Sequence, residues 1–136
     1  MSERKVIVAK TAGFCCGVKR AVDMAYKAVE GCKDKGARIY TYGELIHNRS
    51  VTDDLAKKGV EKTDSLDCVA EGDVVIIRSH GVGPSVYEEL NRRKAVIVDA
   101  TCPNVKRIHE LVRECASKGQ LILIAGDKTH PEVQGS

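Results

Sequence analysis

DVVIIRSHGVGPSVYEELNRRKAVIVDATCPN, residues 73–104, holds two apolar runs on either side of one amphipathic stretch. DVVIIRS (73–79) and AVIVDA (95–100) are short, rich in Val and Ile, and continuous rather than alternating. That is the pattern of strands buried on both faces. Between them, Pro84 stands where its missing N–H is harmless, at the start of a helix whose spacing carries it to about Arg93. Strand, helix, strand in so short a span is a βαβ unit, and it implies a parallel sheet covered by helices.

The same alternation continues on both sides. Towards the N-terminus, KVIVA (5–9) reads as an opening strand. Val18, Ala21, Val22, Ala25, Val29 and Cys32 recur at helical spacing, with Lys19, Asp23, Lys27 and Glu30 on the opposite face. ARIYTY (37–42) is a second strand, and Asn48 caps a short helix that Gly59 ends. Towards the C-terminus, Pro103 begins a long helix with Val105, Ile108, Leu111, Val112 and Cys115 on one stripe. QLILIAG (120–126) reads as a fifth strand, and HPEVQGS looks like the start of a further helical unit. The fold class is therefore α/β. With 136 residues and no linker rich in Pro, Gly or Ser, the chain fits one ordinary domain, and its ending suggests a fragment of a longer protein.

Composition removes several function classes. A hydrophobic share of 43% and a charged share of 30% are those of a soluble globular chain. No apolar run approaches the roughly 18 residues needed to span a bilayer. MSERKVIVAK lacks the apolar core and cleavage site of a signal peptide, so a cytoplasmic location is expected, with no membrane partner. A net charge of +3, one Phe and no Trp argue against a nucleic-acid partner. Six cysteines in such a chain fit a disulfide framework poorly, and no CxxC pair is present.

The reactive residues follow the strands. Cys15 comes after the first, His47 (GELIHN) after the second, His80 (RSHGVG) after the third, Cys102 (DATCPN) after the fourth and His130 (GDKTHPE) after the fifth. In open parallel sheets the ligand crevice lies outside the strands' carboxyl ends. Thiolates suit iron–sulfur clusters or soft metals, imidazoles with helix-start N–H groups suit phosphate oxygens, and Glu132 can handle protons. The pattern points to a metal or iron–sulfur site beside a pocket for a small anion. Cys32 and Cys115 read as core packing on helical stripes, Cys68 as a turn residue and His109 as a surface or boundary residue. Cys16 reads as packing, with a second thiolate as the other choice.

AGFCCGVKRAV, GELIHN, RSHGV, DATCPNVKRIH and HPEVQGS, in this order along essentially the whole chain, resemble the successive motifs of the 4-hydroxy-3-methylbut-2-enyl diphosphate reductase family, LytB/IspH. The resemblance implies three α/β units arranged as a trefoil, with residues 1–100 the first unit and 101–136 the opening of the second. It implies that strand 5–9 packs with a last unit absent from this chain. It implies a 4Fe-4S cluster held by three cysteines, with Cys15 and Cys102 as the metal ligands present and the third outside the chain. His47, His80 and His130 would bind the substrate's diphosphate, and Glu132 would be the catalytic acid. The implied reaction is the reductive removal of the substrate's 4-hydroxyl as water. Isopentenyl and dimethylallyl diphosphate would form by the methylerythritol phosphate route, with ferredoxin or flavodoxin as electron donor. As a fragment, the chain is expected to be inactive alone. Two other readings are a non-catalytic cluster-binding module using Cys15, Cys16 and Cys102, and a phosphate-binding α/β domain with structural cysteines.

Overall fold

The computed structural model describes residues 5–32 and 36–135; residues 1–4, part of the stretch read for a leader, lie outside them. Helix α1 (Cys16–Cys32) leads into strand β1 (Ile39–Tyr42), followed by α2 (Arg49–Lys57), β2 (Val60–Thr63), β3 (Val74–Ile77), α3 (Pro84–Arg92) and β4 (Val96–Asp99). Helices α4 (Pro103–Ser117) and α5 (Pro131–Gln134) complete the order. The four strands form one parallel sheet in the order β2-β1-β3-β4.

Side-chain alternation along the strands builds two cores. Ile39, Val60, Val74 and Ile76 face Ala21, Val22, Ala25 and Val29 of α1 and Leu55 of α2. Tyr40, Val75 and Ile77 point the other way, onto Leu90 of α3 and Val69. All of β3 is buried, which is why its sequence is a continuous apolar run. Asn48 caps α2 as the sequence predicts, its side chain accepting from the Val51 N–H at 3.2 Å. Pro84 and Pro103 stand at the first positions of α3 and α4.

Two expectations about elements are corrected, and one strand is added. KVIVA is not a strand: Val6, Ile7 and Val8 are 76–86% exposed, and no described strand lies alongside to take up their backbone groups. QLILIAG likewise forms no strand, with Leu121 and Leu123 both nearly fully exposed. Conversely, β2 was not legible as a strand, because VEKT buries only Val60 and sits at the sheet edge.

The apolar positions of α4 also divide differently. Val105 and His109 are buried, whereas Ile108 and Leu111 are more than half exposed beside residues 120–125. His109 is thus a buried residue and not a surface one, since it shares the inward turn with Val105 at i, i+4. Cys32 packs against the first core, and Cys68 lies in an exposed turn, both as expected. Cys115 is half-buried against the exposed apolar stretch and belongs to neither core. Cys16 is exposed rather than packed, because it opens α1 one residue before the buried stripe begins at Gly17.

Candidate anion and thiol site at the strand tips

From β1 the chain moves outward to edge strand β2, and from β3 it moves the other way to β4. The direction of winding therefore reverses between β1 and β3, and a crevice opens at their carboxyl ends. The loops after these strands are tied side by side. The Ser79 N–H donates to the Leu45 carbonyl at 3.2 Å, and the Cys102 N–H donates to the Ser79 carbonyl at 2.8 Å. This ladder carries the order β1, β3, β4 past the strand ends and sets His47, His80 and Cys102 along one rim.

The imidazoles converge. The ring centroids of His47 and His80 are 5.1 Å apart, and those of His80 and His130 are 5.9 Å apart, the second pair edge to face. A small cavity of about 210 Å³ beside them is lined by Phe14, Val18, Ile46, His47, Asn48, Ser79 and His80. It joins the start of α1, on either side of Cys15, to the histidine loops. The His47 Nδ1 lies 3.2 Å from the Glu44 carboxylate, which orients that ring. The His130 Nδ1 accepts from the Glu132 N–H at 3.3 Å, so in the neutral ring the proton sits on Nε2 and is available as a donor. Burial holds the His80 imidazole below its ordinary pKa; His47 adds to this and Glu132 opposes it.

Cys102 is fixed from several sides. Asp99 Oδ1 accepts from the Thr101 N–H at 3.0 Å and from its hydroxyl, and Lys106 pairs with Asp99 Oδ2 at 2.6 Å. Burial alone would raise the Asp99 pKa, but the Lys106 and Thr101 hydrogen bonds outweigh it and leave it lowered. Arg20 of α1 donates to the Thr101 carbonyl at 3.1 Å. The Cys102 Sγ then lies against Gly17, 2.6 Å from where a β-carbon would be, so only glycine fits beneath it. Cys15 is exposed, two residues before Gly17.

The structure thus brings the three histidines together, sets Glu132 in α5 two residues past His130, and lays the Cys102 thiol against Gly17 at the start of α1. Among the described residues no three His, Cys, Asp or Glu side chains are grouped to hold a metal ion, so Cys15 and Cys102 would need a further ligand to hold a cluster. The positions missed by reading the sequence are Asn48 and Ser79 as walls of the cavity, Gly17 as the seat of the Cys102 sulfur, and His109 against Gly81 and Gly135. Of these, His109 had a signal, its i, i+4 spacing from Val105.

Fold and site define a class: an open parallel α/β protein in which three imidazoles converge at the reversal of strand order. The chain belongs to the LytB protein family, whose profile matches residues 6–136. It is 48% identical over 133 residues to the 4-hydroxy-3-methylbut-2-enyl diphosphate reductase of Thermoanaerobacter sp. strain X514, covering 96% of this chain and 46% of that protein. The enzyme of the same name from Clostridium perfringens strain 13 is 48% identical over 136 residues, at 98% and 47% coverage. Among solved structures, a (E)-4-hydroxy-3-methyl-but-2-enyl diphosphate reductase described as the terminal enzyme of the non-mevalonate pathway superposes with a TM-score of 0.81 at 42% identity, covering 96% of this chain and 45% of that one. The Plasmodium falciparum reductase superposes with a TM-score of 0.85 at 32% identity, covering 93% and 39%. The chain therefore spans about half the length of the curated relatives it matches.

Proposed function

We propose that this chain is the diphosphate-gripping part of a 4-hydroxy-3-methylbut-2-enyl diphosphate reductase, and contributes two of the thiolates that such an enzyme uses to hold an iron–sulfur cluster. The observation that carries the reading is the convergence of His47, His80 and His130 at the reversal of strand order. Imidazoles on three separate loops can donate to different oxygens of one diphosphate, and protonated rings bind it more strongly than neutral ones. The diphosphate is remote from the reacting carbon, so its binding energy can position the allylic alcohol rather than activate it.

In this reading residues 1–100 form the first α/β unit, and 101–136 open the second. Cys15 and Cys102 are the metal ligands supplied by this chain, and a further cysteine must come from outside it. A cluster held by these thiolates would supply electrons, which a ferredoxin or flavodoxin would deliver. Glu132 holds a proton for the departing hydroxyl; its placement two residues past the His130 anchor, in the first turn of α5, supports that role. The net change is two electrons and two protons consumed, one C–O bond broken and one water released. The half-length chain alone does not complete the cage, so its own measurable activity is anion binding.

Calorimetric titration with inorganic pyrophosphate tests the reading. Alanine at His47, His80 or His130 is expected to weaken binding by about tenfold or more, since a hydrogen bond to a charged group contributes roughly 1.5–3 kcal/mol. Affinity that survives all three changes, in variants with unaltered circular dichroism, overturns it.

A further inference from the structure

We infer that His109 is a positioning residue that sets the spacing between His80 and His130. It lies on α4, away from the crevice, and is only 8% exposed. Its ring is wedged between two glycines. A β-carbon on Gly81 would lie 2.9 Å from its Cε1, and one on Gly135 would lie 2.7 Å from Cε1 and 2.9 Å from Nε2. Gly81 is the residue after His80, and Gly135 caps α5, the helix whose N-cap is His130. One ring thus touches the backbone of both arms that carry the edge-to-face histidine pair. Neither glycine belongs to the loop that carries His47.

Packing alone is a poor account of this residue. The His109 Nε2 is buried and has no hydrogen-bond partner among the described residues. A leucine would fill such a site without leaving a polar atom unsatisfied. Flat shape explains the choice better: a planar five-membered ring passes between two close backbones where a branched side chain would force them apart. Gly81 also has a positive φ of 76°, so the arm bearing His80 is held in a turn that favours glycine. Gly83 also approaches the end of α5, a β-carbon there lying 3.7 Å from the Gln134 carbonyl, but the His109 ring is the side chain wedged between Gly81 and Gly135; removing it opens that gap and loosens the 5.9 Å separation of the two imidazoles in front of it.

The consequence for diphosphate binding rests on the reading proposed above, but the geometry does not. The experiment therefore has two arms, both on the full chain. In the first, NMR without ligand follows the imidazole nitrogens and the cross-relaxation between the His80 and His130 ring protons. His109→Ala is expected to abolish that cross-peak and move the His80 and His130 resonances, leaving those of His47 in place. Gly135→Ala, which crowds the ring from the other side, is expected to move the same two and serves if His109→Ala does not fold. In the second arm, pyrophosphate affinity is expected to fall about tenfold, the loss of one charged hydrogen bond. Unchanged His80 and His130 signals overturn the inference. So do shifts of all three histidines that merely accompany a lower unfolding midpoint. If His80→Ala and His130→Ala leave pyrophosphate binding intact, the diphosphate reading fails, and the NMR arm alone decides the positioning role.

Discussion

Replacing Gly17 by alanine puts a β-carbon 2.6 Å from the Cys102 Sγ and 3.2 Å from the Cys102 Cβ. Non-bonded heavy atoms rest at about 3.5–4.0 Å, so the sulfur must move by roughly 1 Å or leave its rotamer. Overpacking of this kind costs about 1–3 kcal/mol. Removing a glycine from a helix gives back about 0.5–1 kcal/mol. The net expectation for Gly17→Ala is a loss of about 0.5–2 kcal/mol of folding stability from these two terms. In a Cys102→Ala background the sulfur is gone and the nearest atom is the β-carbon at 3.2 Å, so most of the clash disappears. Urea denaturation of the four proteins under reducing conditions yields the coupling energy directly. It is expected to be about 1–2 kcal/mol, well above the 0.3–0.5 kcal/mol or so within which independent sites add. Additive effects would mean that Cys102 does not lie on Gly17, and the placement of the thiol against α1 would fall with it.

Acid should act on the crevice in two opposite directions. His80 is held below its ordinary pKa of 6.5, first by burial and then by His47. The unfolded chain therefore takes up this proton before the folded one does, and the His80 contribution to stability is present above 6.5 and is lost as pH falls towards the lowered value. Pyrophosphate affinity should instead rise over the same interval, because binding favours the protonated ring; calorimetry in buffers of different ionisation heat would register the proton uptake, and none would refute the assignment. Asn48→Ala should cost about 1 kcal/mol by uncapping α2, with Asn48→Asp restoring most of it. Equal stability of all three in urea melts would show that the contact to the Val51 N–H carries nothing.

Much of the architecture can be read from residue order. The runs at 73–79 and 95–100, with Pro84 between them, specify a parallel unit, and Asn48, Pro84 and Pro103 mark helix starts to the residue. His47, His80 and Cys102 could be placed at strand ends, because a chain that alternates strands and helices brings every strand's carboxyl end to the same edge, whereas the stretches before Cys15 and His130 form no strand. Apolar pattern failed where a strand needs a partner. KVIVA and QLILIAG look as apolar as β3 yet stay unpaired, because hydrophobicity signals a tendency to be buried but does not supply the neighbouring backbone. VEKT failed in reverse, since an edge strand needs only one buried side chain.

Residue order alone determined that this is an α/β chain with His47, His80 and Cys102 following its strands, and its motifs pointed to the family that the comparisons bear out. Only the tertiary structure decided which of those groups meet. The strand order β2-β1-β3-β4 sets His47 beside His80, α4 and the irregular stretch 118–129 bring His130 back to them, and a glycine lets Cys102 settle on the first helix. The reason is physical: periodicity reports on a residue's own element, whereas a separation of a few ångströms between loops depends on which strands pair and how closely two backbones can approach.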